Sequence, residues 1–353
     1  MVYFLDRKQK EEKYSMKITK REAKRYERIL GEKKVYDMTP EELERPITKQ
    51  MGELCRHRLE KRWYRRLVFL NFVLIIAVIA CLVIHFGEYI DLGKQYAKQV
   101  VKEMDEETGK RTKEEKKETQ KEEKLTQDDI PVAVQAFAFG ILLLVIGYLG
   151  LYYYNAYYRS MSLRITEKNF PEVYATIEEY AKRLGIAVPK AYVMQSSGIL
   201  NAFSTFLFKR QWICIHAELF EVAFREHHDM DALNFVIAHE MAHIYYGHAT
   251  LHYNLPIWFS DKIPVIGAIA SRTREYSCDR LAQRLTGVSG IESMLMLVVD
   301  RHLYKLVDQE DYINEMRSQK GFFIWYVNLL ADHPVMCKRV DALAQGRGSG
   351  ALY

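Results

Sequence analysis

Residues 235–248, FVIAHEMAHIYYGH, decide how this chain folds and what chemistry it can perform. The apolar residues around His239 and His243 indicate a buried helix, and residues four apart lie on the same face of a helix. The two imidazoles can therefore bind one metal ion side by side. Glu240 follows the first histidine and can reach a water on the metal without binding the metal itself. The pattern H-E-x-x-H thus predicts a zinc site that carries its own general base.

The third ligand of this zinc must come from elsewhere, because catalytic zinc sites usually combine three protein ligands with a water. The extended pattern H-E-x-x-H-x-x-G-x-x-H is excluded, since Tyr246 and Ala249 occupy its glycine and third histidine positions. A better candidate lies downstream in residues 271–282, SRTREYSCDRLA. There, Glu275 and Asp279 are four apart and share a helix face. We predict that Glu275 is the third zinc ligand.

Asp279 is predicted to support the zinc site without binding the metal. Its carboxylate would accept the free N–H of a zinc-bound histidine, which fixes the tautomer and raises the basicity of the ring. We expect Ser271 to cap this helix and Gly287 to end it. An acidic pair at this spacing is also typical of a solvated helix face. The apolar helix around His239 and His243 favours the metal site, because buried polar groups are costly without a partner.

With these two motifs the chain resembles the HtpX-like membrane zinc metallopeptidases, a gluzincin family that also includes the CAAX prenyl proteases. The resemblance covers about residues 160–345, with a membrane hairpin before them. Four segments carry it: residues 201–203 (NAF), residues 238–244 (AHEMAHI) with Gly247-His248, residues 274–282 (REYSCDRLA), and His333-Pro334 followed by Arg339. Ser204 departs from the alanine that many relatives have.

The resemblance implies endoproteolysis by a glutamate-type zincin. It further implies that Asn201, Ala202 and Phe203 lie on the edge strand that binds substrate. Taken alone, Asn201 is equally well explained as a turn residue.

The resemblance also implies that His333 lies near the scissile carbonyl, where we expect it to donate to the oxyanion. Arg339 is expected to steady the acidic residues of the site. The alternatives are a loop histidine ahead of Pro334 and a surface arginine.

Two long apolar runs predict membrane-spanning helices. Residues 67–86 (LVFLNFVLIIAVIACLVIHF) and 131–154 (PVAVQAFAFGILLLVIGYLGLYYY) contain no Asp, Glu, Lys or Arg and are long enough to cross a bilayer. The tyrosines that end the second run suit a membrane interface. A secretory signal is excluded, because the first apolar run follows 66 mostly polar residues.

The charge pattern predicts the orientation of these helices. Six Lys or Arg residues lie within residues 56–66, and three follow the second run within residues 159–168. The loop between the runs has mixed charge, with acidic residues at its ends. Because Lys and Arg are enriched in cytoplasmic segments next to membrane helices, both termini are predicted to be cytoplasmic.

The predicted organisation has five parts: a basic cytoplasmic helical segment (1–66), a first transmembrane helix (67–86), a charged extracytoplasmic loop (87–130), a second transmembrane helix (131–154) and a cytoplasmic zinc metallopeptidase domain (155–353). The fold class is α+β: a mainly helical zincin-like domain with a small β-sheet, preceded by a two-helix transmembrane hairpin. In the domain, a helix from Pro171 to Gly185 precedes short strands at 190–194 and 211–215. An open sheet edge beside the H-E-x-x-H helix would let a peptide add as an extra strand.

Residues 254–270 are apolar but interrupted by charges and prolines. A single crossing here would place Glu275 and His239 on opposite sides of the membrane, and one zinc site cannot span a bilayer. We expect this segment to lie at the interface, to cover the cleft as a loop, or to be re-entrant. The apolar residues 322–330 are assigned to the soluble domain for the same reason.

The five cysteines form no paired framework, so we expect free thiols in a reducing compartment. Cys278 and Cys337 fall near predicted site residues, and we interpret both as small buried hydrophobic residues. His248 and the other remaining histidines lack metal-ligand spacing, which favours surface or hydrogen-bonded roles.

Together these features predict a membrane-anchored zinc-dependent endopeptidase of the EC 3.4.24 type, with one Zn²⁺ per chain and Glu240 as the general base. The expected partners are protein or peptide substrates and the lipid bilayer, and no nucleic acid. The expected location is the cell membrane, crossed more than once, with the catalytic domain in the cytoplasm. The alternative is a zinc-containing membrane sensor or adaptor without proteolytic activity, which an intact Glu240 disfavours. A prenyl-protein protease is disfavoured because its many-spanning chamber is missing.

Overall fold

The structure, a computed structural model, describes residues 18–84, 86–107, 132–195, 202–207, 210–226 and 228–353. The described residues form two compact units. The first contains the described residues up to Asn71 together with those from Tyr154 to Tyr353, and the second contains those from Phe72 to Tyr153. Residues 108–130 of the predicted loop, and Asn201, lie outside the described residues.

Helices make up most of the described chain. They are α1 (Lys20–Leu30), α2 (Pro40–Glu44), α3 (Lys49–Cys55), α4 (Glu60–Ile84), α5 (Phe86–Glu107), α6 (Val132–Ser160), α7 (Pro171–Leu184), α8 (Ala217–Glu221), α9 (Met230–Tyr246), α10 (Leu251–Asn254), α11 (Ile266–Thr286), α12 (Ile291–Val299), α13 (Gln309–Ser318), α14 (Phe322–Leu330) and α15 (Met336–Gln345). A π-helical turn (Val222–Glu226) follows α8, and 3-10 turns cover Leu255–Ile257, Ser260–Lys262 and Tyr304–Leu306.

The strands form one small sheet in the first unit. They are β1 (Leu163–Arg164), β2 (Lys190–Met194), β3 (Ala202–Leu207) and β4 (Arg210–His216), and their order across the sheet is β1-β2-β4-β3. β2 runs parallel to β4, whereas β1 and β3 pair antiparallel with their neighbours. β3 therefore lies at an edge, with no strand on its outer side among the described residues.

The main hydrophobic core surrounds α9, which packs against α7, α11 and β3. Leu233, Ile237 and Met241 on this helix are fully buried. A helix that is apolar on all sides is stable only where neighbours cover it all round, and this accounts for its central position. The prediction of a mainly helical α+β chain with a small sheet is confirmed.

Two helix ends lie where the sequence predicts them. α7 has Pro171 at its first position and ends before Gly185, whose φ is 66°. α11 ends before Gly287, whose φ is 76°. A positive φ is accessible to glycine without the steric cost that other residues bear, so both glycines stop their helices.

The predicted helix cap at Ser271 is wrong. α11 begins at Ile266, which places Ser271 inside the helix. The helix extends further because its apolar first residues, including Ile269 and Ala270, are buried against the start of α4. Gly267 permits this packing, since a Cβ at this position would lie 1.9 Å from the carbonyl oxygen of Asp261.

The apolar segment 254–270 folds into short turns followed by the start of α11, and it packs against the first turns of α4. The side-chain oxygen of Asn71 accepts hydrogen bonds from the backbone N–H groups of Phe259 (3.0 Å) and Ser260 (3.3 Å). The Ser260 hydroxyl donates to the carbonyl of Leu67 at 2.8 Å. Asn71 is thus buried, with its side-chain oxygen accepting two hydrogen bonds, although it lies within a predicted membrane helix.

The second unit contains most of the described residues of the two predicted membrane helices. Within α4 and α6, the stretches Glu60–Cys81 and Ala138–Ser160 are long and apolar enough to cross a membrane. Phe72, Ile76 and Val83 on α4, and Ile146 and Leu149 on α6, are exposed, as a lipid-facing surface would be. By length and composition, these two helices are candidates for membrane association.

Candidate metal centre

The helix α9 brings the H-E-x-x-H residues into the core of the first unit. Asp229 caps its start, accepting hydrogen bonds from the N–H groups of Asp231 and Ala232. His239 and Glu240 are each only 7% exposed. Buried polar groups need partners, and these are provided by neighbouring elements.

The helix α11 places Glu275 opposite the two histidines. Its carboxylate oxygens lie 3.5 Å from Nε2 of His239 and 3.4 Å from Nε2 of His243. The two Nε2 atoms are themselves 3.3 Å apart. The candidate ligand atoms of these three residues thus form a compact triangle.

This triangle fits a zinc ion. Ligand atoms about 2.0–2.1 Å from a tetrahedral zinc are separated from one another by about 3.4 Å. The two Nε2 atoms, 3.3 Å apart, match that edge length, and each lies 3.4–3.5 Å from a different carboxylate oxygen of Glu275, Oε2 for His239 and Oε1 for His243. Two imidazoles and one carboxylate are also a ligand set that catalytic zinc sites use, with a fourth position left for water.

The carboxylate of Asp279 fixes the ring of His239 from the far side. Its Oδ1 lies 2.9 Å from Nδ1 of His239, and because a carboxylate only accepts, this nitrogen carries the proton. Nε2 is then the nitrogen that faces the triangle. The guanidinium of Arg339 donates to both oxygens of Asp279 at 2.7 Å, so the supporting carboxylate is held by a bidentate ion pair.

The ring of His243 is held from its far side by His248. Nδ1 of His243 lies 3.2 Å from Nδ1 of His248, and Nε2 of His248 lies 3.2 Å from Oε1 of Glu60. Burial lowers the pKa of His248 to about 4, so this imidazole is neutral near pH 7. Sequence reasoning missed this arrangement and assigned His248 only an unspecified surface or hydrogen-bonded role. The only local signal was the adjacent Gly247, which ends α9 with φ 79° and turns the chain back towards the site.

The pKa values of the metal site reflect its tight charge pairing. Burial disfavours the charged form of His239, but the hydrogen bonds and charges of Asp279 and Glu275 outweigh it and raise the pKa of His239 to about 10. Burial raises the pKa of Asp279, whereas the charge of Arg339 and the hydrogen bonds from His239 and Arg339 lower it to about 2. A metal ion that binds here must therefore displace a proton from His239.

A second group of possible metal ligands consists of His243, His248 and Cys278. The sulfur of Cys278 lies 3.7 Å from Nδ1 of His248. Burial, together with the charges of nearby carboxylates such as Glu275 and Glu60, raises the pKa of this thiol well above its usual value. Without a metal, Cys278 is therefore a neutral thiol. Cys337 is likewise buried.

A narrow cleft of about 130 Å³ opens beside the triangle. His239, Glu240 and Glu275 line it, together with Ala202 of the edge strand and His333. The structure therefore brings these predicted residues together at one site. A larger cavity of about 970 Å³ lies against Trp212 and His252 and contains none of the predicted site residues.

His333 and Phe203 occupy different positions relative to this cleft. Nε2 of His333 lies 3.7 Å from Oε2 of Glu275, and the His333 side chain is 69% exposed. Phe203 packs against Trp212 and Tyr158 on the opposite face of the sheet from Ala202. Any contact of Phe203 with a ligand in the cleft would therefore involve its backbone.

Comparison with known proteins identifies the same segment of the chain. Residues 167–257 match the model of Peptidase family M48. This range contains the H-E-x-x-H helix and three of the four strands, β2 to β4, and it ends before Glu275. No curated protein and no solved structure matches the chain. The match confirms the family resemblance found in the sequence, and its zincin-like domain fits the observed helices and sheet.

Proposed function

We propose that this chain, a metallopeptidase of family M48, is a membrane-anchored zinc endopeptidase. The observation that carries the proposal is the triangle of His239, His243 and Glu275, with Glu240 beside it on the same helix. As a peptidase, the protein acts on protein or peptide substrates. We propose one Zn²⁺ per chain, held by these three ligands, and an activity of the EC 3.4.24 type.

The chemistry follows from the side chains around the cleft. When bound, zinc lowers the pKa of a water and polarises the scissile carbonyl. Glu240 accepts the proton of the attacking water and passes it to the leaving amine. His333 lies at the exposed side of the cleft, where its imidazole can donate to the oxyanion of the substrate. Asp279 and Arg339 hold the His239 ring in the orientation that it needs as a zinc ligand.

The edge strand β3 offers a place for the substrate backbone. Its outer side has no partner strand among the described residues, and Ala202 on this strand lines the cleft next to Glu240. A peptide that pairs with β3 would add a strand to the sheet and pass the zinc ligands. We propose that Ala202 and Phe203 bind substrate in this way, with the neighbouring Asn201.

Membrane anchoring is proposed from the two apolar helices. Their length and exposed apolar side chains suit a hairpin in the cell membrane. The basic residues before the first helix and after the second favour a cytoplasmic catalytic unit. Substrates would then be proteins at or near the inner face of the membrane.

The proposal is tested by mapping new protein N-termini in membrane fractions. Cells that express the wild type are compared with cells that express equal amounts of Glu240→Gln, which keeps the size of the side chain but lacks the base. We expect a set of N-termini present only with the wild type, lying in membrane proteins or their cytoplasmic segments. If both cell types yield the same N-termini, the endopeptidase proposal fails and a zinc-containing sensor or adaptor is favoured.

A further inference from the structure

One buried carboxylate near the metal centre comes from the N-terminal segment, before the family-matched residues. Glu60, in the first turn of α4, is 2% exposed and lies against His248. We propose that Glu60 and His248 form a hydrogen-bond relay that positions His243 as a zinc ligand, so that the N-terminal segment completes the metal centre. The inference rests on the zinc site of the proposed function.

The partners of Glu60 determine which nitrogen of His248 carries a proton. Arg56 donates to Oε1 of Glu60 at 2.8 Å, and the hydroxyl of Ser277 donates to Oε2. Nε2 of His248 lies 3.2 Å from Oε1. An ionised carboxylate has no proton to donate, so this nitrogen must be the N–H of His248.

The same count of donors and acceptors then determines which nitrogen of His243 carries its proton. With its proton on Nε2, the neutral His248 ring has a lone pair on Nδ1, which accepts from Nδ1–H of His243 at 3.2 Å. The thiol of Cys278 can share this acceptor at 3.7 Å. Nε2 of His243 is left with a lone pair, and it is the atom that faces His239 and Glu275. The relay thus selects the tautomer that can bind zinc.

The two zinc-binding histidines therefore have matching supports of different origin. Asp279 bonds His239 directly from the helix that also provides Glu275. Glu60 supports His243 through His248, and it lies 188 residues before His248 in sequence. Glu60 also lies only seven residues before Leu67, where the predicted membrane helix begins. A shift of this helix start would act directly on the geometry of His243.

The N-terminal segment is anchored firmly enough to serve this role. The hydroxyl of Tyr246 donates to the carbonyl of Gly52 at 2.8 Å, and Arg56 stacks over the Tyr246 ring with its guanidinium carbon 4.4 Å from the centroid. The backbone N–H of His57 donates to the Ser277 hydroxyl at 2.8 Å. The Ser277 hydroxyl thus bonds the N-terminal segment twice, at the backbone N–H of His57 and at the carboxylate of Glu60.

The relay is tested by metal binding, which does not depend on hydrolysis. Full-length protein in detergent is titrated with a chelator of known affinity to give its zinc dissociation constant. The variants are His248→Leu, His248→Gln, Glu60→Gln and the double variant Glu60→Gln with His248→Leu. The control is Glu44→Gln, an exposed carboxylate of the same segment. The visible spectrum of Co²⁺-loaded protein provides a second readout, because it reports ligand geometry rather than stability.

We expect His248→Leu to weaken zinc binding by about 10–100-fold and to change the Co²⁺ spectrum, since loss of an outer partner typically has this effect. His248→Gln should recover part of the affinity, because its amide oxygen can accept from His243. Glu60→Gln should weaken binding less, and in the double variant its effect should disappear, because the relay is already broken. Glu44→Gln should match the wild type.

Three outcomes would overturn the relay. The first is wild-type affinity and spectrum in the folded variants, and the second is independent, additive effects of Glu60→Gln and His248→Leu. The third is two metal ions bound to the wild type and one to His248→Leu, which would indicate a second metal at His243, His248 and Cys278. If His248→Leu does not fold, the zinc affinities of Glu60→Gln and Glu44→Gln are compared instead, and equal affinities would overturn the relay. A chain that passes these tests but cleaves no protein would contradict only the proposed function.

Discussion

Both histidines of the proposed zinc site are fixed through the ring nitrogen that faces away from the candidate ligand triangle. Nδ1 of His239 bonds Asp279, and Nδ1 of His243 bonds His248. An imidazole held in this way can present only its other nitrogen, so the ligand geometry exists before a metal arrives. This preorganisation offsets the cost of burying several polar groups in an apolar core.

Glu275 is assigned as a metal ligand and Asp279 as a supporting residue, so their substitutions are predicted to lower zinc affinity by different amounts. Glu275→Gln removes a ligand, whereas Asp279→Asn keeps the ligands and weakens the hold on His239. We expect Asp279→Asn to lower zinc affinity by about 10–100-fold and Glu275→Gln to lower it further. Equilibrium dialysis of the purified variants against zinc measures both. A Glu275→Gln protein that holds zinc as tightly as the wild type would show that the third ligand is another residue.

The sequence reveals those residues whose chemistry depends on local spacing. His239, His243, Glu275 and Asp279 could be proposed together because the helix repeat brings residues four apart to one face, and Glu240 could be proposed because it follows the first histidine. His248 and Glu60 could not be found in this way. Their contact joins positions far apart in sequence, and a single buried glutamate in a basic segment has no periodic signal.

The N-terminal segment and the catalytic helices pack as one unit, although the sequence suggested separate parts. His57 shows how closely they fit. Its Nε2 donates to the carbonyl of Gly350 at 3.1 Å, and its Nδ1 accepts from the N–H of Leu59 at 3.1 Å. With one nitrogen donating and the other accepting, the ring is satisfied only in its neutral form.

This contact predicts that acid loosens the unit. Burial lowers the pKa of His57 to about 4, from about 6.5 in an unfolded chain. The stabilisation is therefore complete above pH 6.5 and is lost as the pH falls towards 4, by an amount on the order of 3 kcal/mol. Thermal unfolding of the zinc-free protein between pH 7 and 4 measures the loss. His57→Gln should show a shallower pH dependence than the wild type.

The matched control for this experiment is His252→Gln, which replaces an exposed histidine. It should retain the pH dependence of the wild type. Identical pH dependences for His57→Gln and the wild type would mean that His57 does not contribute to acid sensitivity.

At the scale of elements, the sequence predicts the type of helix or strand better than its limits. α7, β2 and β4 were recognised because periodicity, Pro171 and Gly185 all agree. The start of α11 was misplaced because Ser271 resembles a cap, whereas tertiary packing of residues 266–270 carries the helix past it. Local signals cannot anticipate an extension that depends on a distant helix.

For the whole molecule, the apolar runs in α4 and α6 imply a hairpin, and the basic flanks imply its orientation. We predict that residues 87–130 are extracytoplasmic and that the catalytic unit is cytoplasmic. A membrane-impermeant maleimide applied to intact cells should label Lys113→Cys, outside the described residues, and should not label Asn314→Cys, on an exposed part of α13. Cys81 is replaced by alanine, since the other four cysteines are buried. The reverse labelling pattern would contradict the orientation.

We propose that Glu240 performs general-base catalysis at a zinc site that it does not help to hold. The most direct measurement compares purified wild type, Glu240→Gln and the surface control Glu179→Gln for zinc content and for hydrolysis of a protein substrate, with and without a chelator. We predict about one zinc per chain in all three proteins, with hydrolysis at least about 100-fold slower in Glu240→Gln alone. Equal hydrolysis by Glu240→Gln and the wild type, or loss of zinc from Glu240→Gln, would contradict the account.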